Sequence, residues 1–196
     1  MPTPYGLVRA GVAPDHPDTR TITRLFGQIE DLPGFSYALG VDVGTDVSHD
    51  QLAASHHAVL YATGASLDRR LGIDGEDLPG SVTATEFVAW YNGHPEFIDL
   101  DPDLNSANVC VIGNGNVAID IARLLVKTRA ELSPSDITNA SLDALQSSSV
   151  TDVYMLGRRG PVEAKFTNVE LREMGKLENC VPQIVGAVIP DGVPEE

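Results

Sequence analysis

The chain has 196 residues, 42% of them hydrophobic, which is enough for one large domain or two small ones. Its 28 acidic residues exceed its 13 basic ones and give a formal net charge of −15, which argues against nucleic acid or an anionic membrane surface as a partner. The two cysteines form no CxxC pair, so we predict no metal site. No apolar run approaches the ~20 residues of a membrane span, so we predict a soluble, cytoplasmic protein.

The first third of the chain is predicted to alternate between helix and strand. Residues 20–34 carry apolar side chains at helical spacing, which predicts a helix. The stretches 35–44 (FSYALGVDVG) and 57–65 (HAVLYATGA) are both predicted as strands, and the second one runs into a Thr-Gly turn. Between them, residues 46–56 are typical of a turn or a short helix.

The remainder of the chain carries stronger signals. A helix is predicted at 85–91, and the apolar run that ends at Ile112 is predicted as a buried strand. The polar segment 133–149 predicts one or two short helices before a second strand at 153–156. Residues 181–196 predict the start of a further strand. Strands that alternate with helices indicate an α/β fold with a three-layer, Rossmann-like dinucleotide-binding domain.

A glycine turn, GNGNVA, lies between the strand that ends at Ile112 and an amphipathic helix. In the pattern G-x-G-x-x-A, the first glycine permits the tight turn and the second lets the backbone approach a pyrophosphate, while the small last residue lets helix and strand pack closely. The amides that begin the helix then face the phosphates. Because a strand precedes the motif and a helix follows it, we predict a dinucleotide site rather than a turn that serves packing alone. The predicted cofactor-binding residues of the turn are Gly113, Asn114, Gly115, Asn116, Val117 and Ala118.

The end of the second strand distinguishes NADP from NAD. An acidic residue at this place binds the ribose 2′-hydroxyl of NAD, whereas an arginine accommodates the 2′-phosphate of NADP. Here the strand is followed by Arg158 and Arg159, and two guanidiniums can hold a phosphate by charge-assisted hydrogen bonds. The distance from the glycines is about twice the usual ~20 residues, which we attribute to an insertion at 130–149. The alternative is an exposed pair that makes surface salt bridges.

Glu170 has two interpretations. Thr167 and Glu170 have the spacing of a capping box, in which the glutamate side chain bonds back to the amide of the N-cap residue. Alternatively, the Glu170 carboxylate accepts a ribose hydroxyl near Arg158. The residues alone favour the cap, and the two roles do not exclude each other.

Six segments that span nearly the whole chain together resemble the adrenodoxin-reductase-like ferredoxin–NADP reductases, the actinobacterial type most of all: PTPYGLVRAGVAPDHP, YATGA, GEDLPGS, WYNGHP, IGNGNVAIDIARLL and GRRGPVEAKFTNVELRE. The resemblance implies a flavoenzyme in which NADPH gives a hydride to FAD and the flavin passes single electrons to ferredoxin. It also implies that Arg158 and Arg159 hold the 2′-phosphate and that Glu170 contacts the cofactor.

The resemblance also implies an active site. His16 and Asp120 match a histidine and an acid at the flavin–nicotinamide junction, and we take them as the predicted catalytic residues. A carboxylate can orient an imidazole, and the pair would link the two domains. Gly64 matches a strand-end turn that passes close to FAD. Without the resemblance, His16 is a loop histidine and Asp120 is a polar residue on a helix.

In this family an NADP domain is inserted into an FAD domain. On that plan, residues 1–66 are a partial FAD-binding segment and residues 67–196 are the NADP-binding domain. Because the sequence shows no earlier glycine turn and no match to the carboxyl-terminal FAD segment, we expect the FAD site of this chain to be incomplete. We therefore expect the chain alone to bind NADP(H) but to be weakly active or inactive. An incomplete sheet also leaves an unpaired edge, which predicts self-association.

Two other functions remain open at the level of sequence. One is an NADP-binding module without catalysis, and the other is a flavoprotein similar to the glutamate-synthase small subunit. The long match PTPYGLVRAGVAPDHP argues against the second. Ferredoxin as the partner follows from the resemblance only, and the net charge of −15 would slow association with an acidic ferredoxin.

Overall fold

The strands β1 (Asn108–Ile112) and β2 (Asp152–Leu156) pair in parallel in the computed structural model, which describes residues 3–65, 67–160 and 163–186. Asn108 lies opposite Asp152 and Ile112 opposite Leu156. Side chains alternate between the two faces, so Val111 is buried while its neighbours are more exposed. The predicted α/β character is confirmed.

Five of the helices begin at a serine or threonine that caps the helix N-terminus. Thr83, with Glu86, forms a capping box, and so does Ser48 with Gln51. The helices of the described residues are α1 (Gly6–Ala10), α2 (Pro17–Arg20), α3 (Thr23–Glu30), α4 (His49–Ser55), α5 (Ala84–Tyr91), α6 (Asn116–Val126), α7 (Arg129–Leu132), α8 (Asn139–Gln146) and α9 (Asn168–Met174). No helix within these residues is both long and apolar enough to cross a bilayer.

The core lies around α6, which packs against both strands and against α5 and α9. Its sequence is mostly apolar, and residues 118, 119 and 121–125 are buried, so most of its circumference faces the core. α8, from the polar segment 133–149, packs against α5 and α7. The largest fully buried side chains other than polar ones are Tyr91, Ile119, Leu124, Leu132 and Pro14.

Two predicted strands are wrong. The segments 35–44 and 57–65 are not in a sheet, and Val43 makes only an isolated bridge, to Val47. Leu60 is 89% exposed although we expected it in a buried strand. A strand is held by hydrogen bonds to a neighbouring strand, and no strand of the described residues lies beside these segments.

The other predicted elements fare better. The helices at 46–56 and 85–91 and the strand at 153–156 are confirmed by α4, α5 and β2. The segment 20–34 forms a helix over Thr23–Glu30. Residues 181–186 form no strand, and the rest of that predicted strand lies outside the described residues.

Candidate functional site

The glycine turn connects β1 directly to α6. The Gly113 amide donates to the carbonyl of Leu156 at 3.1 Å, which ties the turn to the end of β2. Gly113 has a φ of +156°, and a Cβ there would touch the Ala118 side chain at 3.4 Å, so turn and helix are closely packed. Gly115 is the N-cap of α6 and makes no side-chain cap hydrogen bond. A Cβ at Gly115 would meet no other atom within 4 Å, so the start of the helix is open to a ligand.

A cleft of about 420 Å³ lies over this turn. Val117 is 48% exposed and lines the cleft together with Asn116 and Ala118. Lys165 also lines it, and its backbone amide donates to the carbonyl of Asn114 at 2.8 Å. The cleft therefore combines a helix N-terminus with a cation, and both attract an anion.

Arg158 and Arg159 follow the end of β2 and are exposed. The preceding Gly157 lies against Asn114 of the glycine turn, because a Cβ at Gly157 would come within 3.1 Å of the Asn114 side-chain nitrogen. Neither arginine makes an ion pair with any residue in the described part of the chain. The described residues thus provide no acidic partner for the alternative interpretation, in which the two arginines make surface salt bridges.

The Asn116 side chain joins the glycine turn to α9. Its Oδ1 accepts a hydrogen bond from the Thr167 amide at 2.8 Å. Thr167 is the N-cap of α9, as predicted, and its Oγ1 accepts from the Glu170 amide at 3.3 Å. The Glu170 carboxylate does not complete a capping box, since Asn116 occupies the Thr167 amide and Glu170 Oε2 accepts from Arg123 at 3.2 Å instead. That part of the capping interpretation is wrong.

A buried ion cluster surrounds Arg123, whose side chain is 0% exposed. Arg123 holds Asp15 with two hydrogen bonds, Nε to Oδ2 at 2.8 Å and Nη2 to Oδ1 at 2.9 Å. Lys127 Nζ reaches the same carboxylate at 2.7 Å. The cluster thus ties the loop before α2 to α6 and α9. Its members are Asp15, His16, Asp120, Arg123, Lys127, Glu170 and Glu173.

The structure brings both predicted catalytic residues into the ion cluster but not into direct hydrogen-bond contact. His16 Nε2 lies 4.0 Å from Asp120 Oδ1. Its nearer neighbours are Arg123 Nη2 at 2.9 Å and Glu173 Oε2 at 3.1 Å. Asp120 Oδ1 in turn accepts from Arg123 Nη2 at 2.9 Å. Arg123 therefore stands between the histidine and the acid.

Burial and charge set the ionisation of the cluster. For Asp15, burial opposes ionisation, but the hydrogen bonds and charges of Arg123 and Lys127 outweigh it and hold the pKa of that carboxyl below its ordinary value. For Asp120, burial prevails over the attraction of Arg123 and raises the pKa of the carboxyl. Burial also disfavours the charged form of Arg123, yet Asp15 and the neighbouring acids raise the pKa of its guanidinium.

His16, Glu170 and Glu173 have ligand atoms within 4.8 Å of one another, which is close enough for a metal ion. The Arg123 guanidinium contacts all three side chains. A second cation among them would meet that positive charge, so this arrangement suits an internal ion pair better than a metal. Gly64 has a φ of +71°, and a Cβ there would meet no other atom within 4 Å.

Sequence analysis missed Arg123, Asp15, Glu173 and Lys165. Arg123 had a signal, because it is a cation in an otherwise apolar helix, three residues after Asp120. Asp15 precedes His16, and Glu173 follows Glu170 by one helical turn, but neither spacing predicts a contact across the fold. Nothing in the sequence indicates that Lys165 lies at the cleft.

No family model matches the chain. Curated relatives do. A probable ferredoxin/ferredoxin–NADP reductase of Mycobacterium bovis is 54% identical over 171 residues, which are 87% of this chain and 30% of that protein. The NADPH-ferredoxin reductase FprA of Mycobacterium tuberculosis is 45% identical over 196 residues, which are 100% of this chain and 43% of FprA.

The fold agrees with these relatives. The solved structure of Mycobacterium tuberculosis FprA in complex with NADPH matches with a TM-score of 0.87 and 47% sequence identity, over 91% of this chain and 39% of that one. This chain spans less than half the length of each of these proteins. Along its whole length, therefore, the chain is homologous to a part of larger proteins named ferredoxin–NADP reductases.

Proposed function

We propose that this chain is a part of a ferredoxin–NADP reductase that includes its NADP-binding domain, and that electrons pass in the whole protein from NADPH through FAD to ferredoxin. The observation that carries the proposal is the exposed pair Arg158 and Arg159 beside an open glycine turn. The names of the relatives, and the NADPH in one solved structure, support the same cofactor.

The residues of the cleft fit the phosphates of NADP(H). The N-terminal amides of α6 and Lys165 would face the pyrophosphate, because both line the open side of the glycine turn. Arg158 and Arg159 would hold the 2′-phosphate as a forked, charge-assisted pair. In a chain with a net charge of −15, such local cations are needed to hold an anion against the overall field.

The described residues contain one strand–glycine turn–helix unit, so they fit one dinucleotide, which we assign to NADP(H). FAD, when bound to the whole protein, would supply the conversion of a hydride into single electrons. On this proposal residues 1–66 belong to an FAD domain with Gly64 near the flavin, and 67–196 form a three-layer NADP domain. Ferredoxin as the partner and the cytoplasm as the location belong to the same proposal.

We place the ion cluster at the junction of the two domains, with His16 and Asp120 near the nicotinamide. Two distances support this assignment. Asp120 lies four residues beyond Asn116 on α6, which is about 6 Å along the helix from the glycine turn at ~1.5 Å per residue. Glu170 is on α9, and the N-cap of that helix is hydrogen-bonded to Asn116 of the glycine turn. Glu170 Oε2 lies 3.6 Å from His16 Nε2, so the carboxylate could face both the cofactor and the imidazole.

The proposal is tested by calorimetric titration of the chain with NADP⁺ and NAD⁺. A phosphate held by two arginines is worth a few kcal/mol, so we expect NADP⁺ to bind about ten- to several-hundred-fold more tightly. Equal affinity for the two cofactors would contradict the assignment. The alternative of a binding module without catalysis predicts the same preference, and it is distinguished by the absence of flavin absorbance and of ferredoxin reduction in the whole protein.

A further inference from the structure

One nitrogen of the Arg123 guanidinium, Nη2, has more potential acceptors close to it than it has hydrogens to donate. Nη2 lies 2.9 Å from each of three atoms, Asp15 Oδ1, Asp120 Oδ1 and His16 Nε2. A guanidinium NH₂ group carries two hydrogens. One of the three neighbours therefore receives none.

The two carboxylates are the better acceptors. A hydrogen bond from the cationic guanidinium to a carboxylate joins opposite charges, whereas the neutral imidazole offers only a lone pair. Asp15 also receives the Nε hydrogen, so its two bonds form a fork that fixes the plane of the guanidinium. The remaining nitrogen, Nη1, is directed to Glu170 at 3.2 Å and Glu173 at 3.5 Å. This leaves His16 Nε2 without a hydrogen from Arg123.

His16 Nε2 must then carry a hydrogen of its own. Glu173 Oε2 lies 3.1 Å away, and a lone pair on Nε2 would face the lone pairs of that carboxylate. With the hydrogen on Nε2, the imidazole donates to Glu173, and each hydrogen of Arg123 still has an acceptor. The charged groups that face the imidazole are Asp15 from the preceding residue, Asp120 and Arg123 from α6, and Glu170 and Glu173 from α9.

We propose that Arg123 and Asp120 are positioning residues that fix the hydrogen of the neutral His16 ring on Nε2, directed at Glu173. Asp120 acts on His16 through Arg123, because it takes the Nη2 hydrogen that the imidazole would otherwise accept. The significance for catalysis rests on the proposed function: Nδ1 is then the nitrogen that takes up a proton at the domain junction. The placement of the hydrogen itself does not depend on that function.

Nitrogen-15 NMR of the labelled 196-residue chain tests the proposal. Long-range proton–nitrogen correlation spectra at about pH 9, well above the ordinary imidazole range, distinguish the protonated from the unprotonated ring nitrogen of His16. In the wild type we expect hydrogen on Nε2. In Asp120→Ala one Nη2 hydrogen is free to bond to the imidazole at Nε2, so we expect the ring hydrogen to move to Nδ1. The chemical shifts of the two ring nitrogens should then exchange. Asp120→Glu keeps a carboxylate as the acceptor and should retain the wild-type pattern.

The Asp120→Ala comparison separates the proposal from any intrinsic preference of an imidazole. A wild-type ring with its hydrogen on Nδ1 would overturn the proposal, and so would an unchanged pattern in a folded Asp120→Ala chain. If that variant does not fold, Asp120→Leu, which also removes the acceptor, takes its place in the comparison, and a wild-type hydrogen on Nδ1 still overturns the proposal. The experiment uses no cofactor, so its outcome is independent of the NADP⁺ titration.

Discussion

At the scale of single residues, Arg123 connects more of this molecule than any predicted site residue does. It is fully buried, and it contacts Asp15 in the loop before α2 and Glu170 on α9. We predicted functional roles for His16, Asp120 and Glu170, and the structure gathers all three around Arg123. A cation in an otherwise apolar helix was a signal for Arg123, but its partners were not predictable, since they lie up to 108 residues away in sequence.

Replacing Arg123 should destabilise the chain strongly. We expect Arg123→Met to lower the free energy of unfolding by about 3–5 kcal/mol, because it leaves the nearly buried Asp15 carboxylate without its main partner. Urea unfolding followed by circular dichroism measures the loss. The control is Arg129→Met, which removes the exposed pair with Asp143 and should cost at most about 1 kcal/mol. Similar losses in the two variants would contradict the account.

Asp15 should make stability depend on acid pH. Its pKa is lower in the folded chain than in the unfolded one, so its contribution is present above the ordinary aspartate value of about 3.9 and is lost as pH falls toward the folded pKa. We expect the unfolding free energy of the wild type to fall below about pH 4, and to fall less steeply in Asp15→Asn.

Asp120 provides a control of opposite sign for that series. Its pKa is raised, so the folded chain binds the proton first and this group lowers stability as pH rises through its folded pKa. Asp120→Asn should therefore steepen the acid-side loss. Urea unfolding at a series of pH values measures the unfolding free energy of the wild type and of both variants. Parallel curves of free energy against pH for the wild type and Asp15→Asn would show that the ion pair of Asp15 does not cause the loss of stability in acid.

At the scale of elements, prediction succeeded where local chemistry determines the structure. The turn 113–118 combines a glycine pattern with a preceding strand and a following helix, and the structure shows that unit. The segment 57–65 has an equally apolar sequence, yet it forms no strand because no neighbour pairs with it in the described part of the chain. The cap at Thr167 was predicted, but the route of Glu170 to Arg123 depends on tertiary packing.

Gly115 provides a test of the turn that separates binding from folding. Gly115→Ala adds a methyl group into open space, so we expect nearly wild-type stability. The methyl group would stand where the pyrophosphate approaches, so NADP⁺ affinity should fall at least about tenfold. Gly27→Ala in α3, also in open space, is the matched control and should leave NADP⁺ binding unchanged. Unchanged affinity in Gly115→Ala would place the phosphates elsewhere.

At the scale of the whole molecule, the two-stranded sheet and the strong negative charge have opposite effects on self-association. The outer edges of β1 and β2 have no partner strand in the described residues, which favours pairing with a second copy. The net charge of −15 opposes that association through repulsion between copies. Self-association and the division at residue 66 stay predictions.

The balance of these two effects should shift with salt. We expect sedimentation velocity to show mainly monomer at low ionic strength and more association at about 1 M salt, where the screening length is only ~3 Å. Tyr154→Lys adds a charge to the exposed face of β2 and should reduce the association. A chain that is monomeric at every salt concentration would refute the prediction.

The central claim is that Arg158 and Arg159 recognise the 2′-phosphate of NADP(H) beside the glycine turn. The most direct measurement is calorimetric titration of Arg158→Ala/Arg159→Ala with NADP⁺ and NAD⁺. The matched control is Arg69→Ala/Arg70→Ala, the other adjacent arginine pair, in which Arg70 is paired with Glu76 and Asp77. We expect the first variant to bind the two cofactors equally and the control to keep the wild-type preference for NADP⁺. A preference that survives in Arg158→Ala/Arg159→Ala would contradict the account.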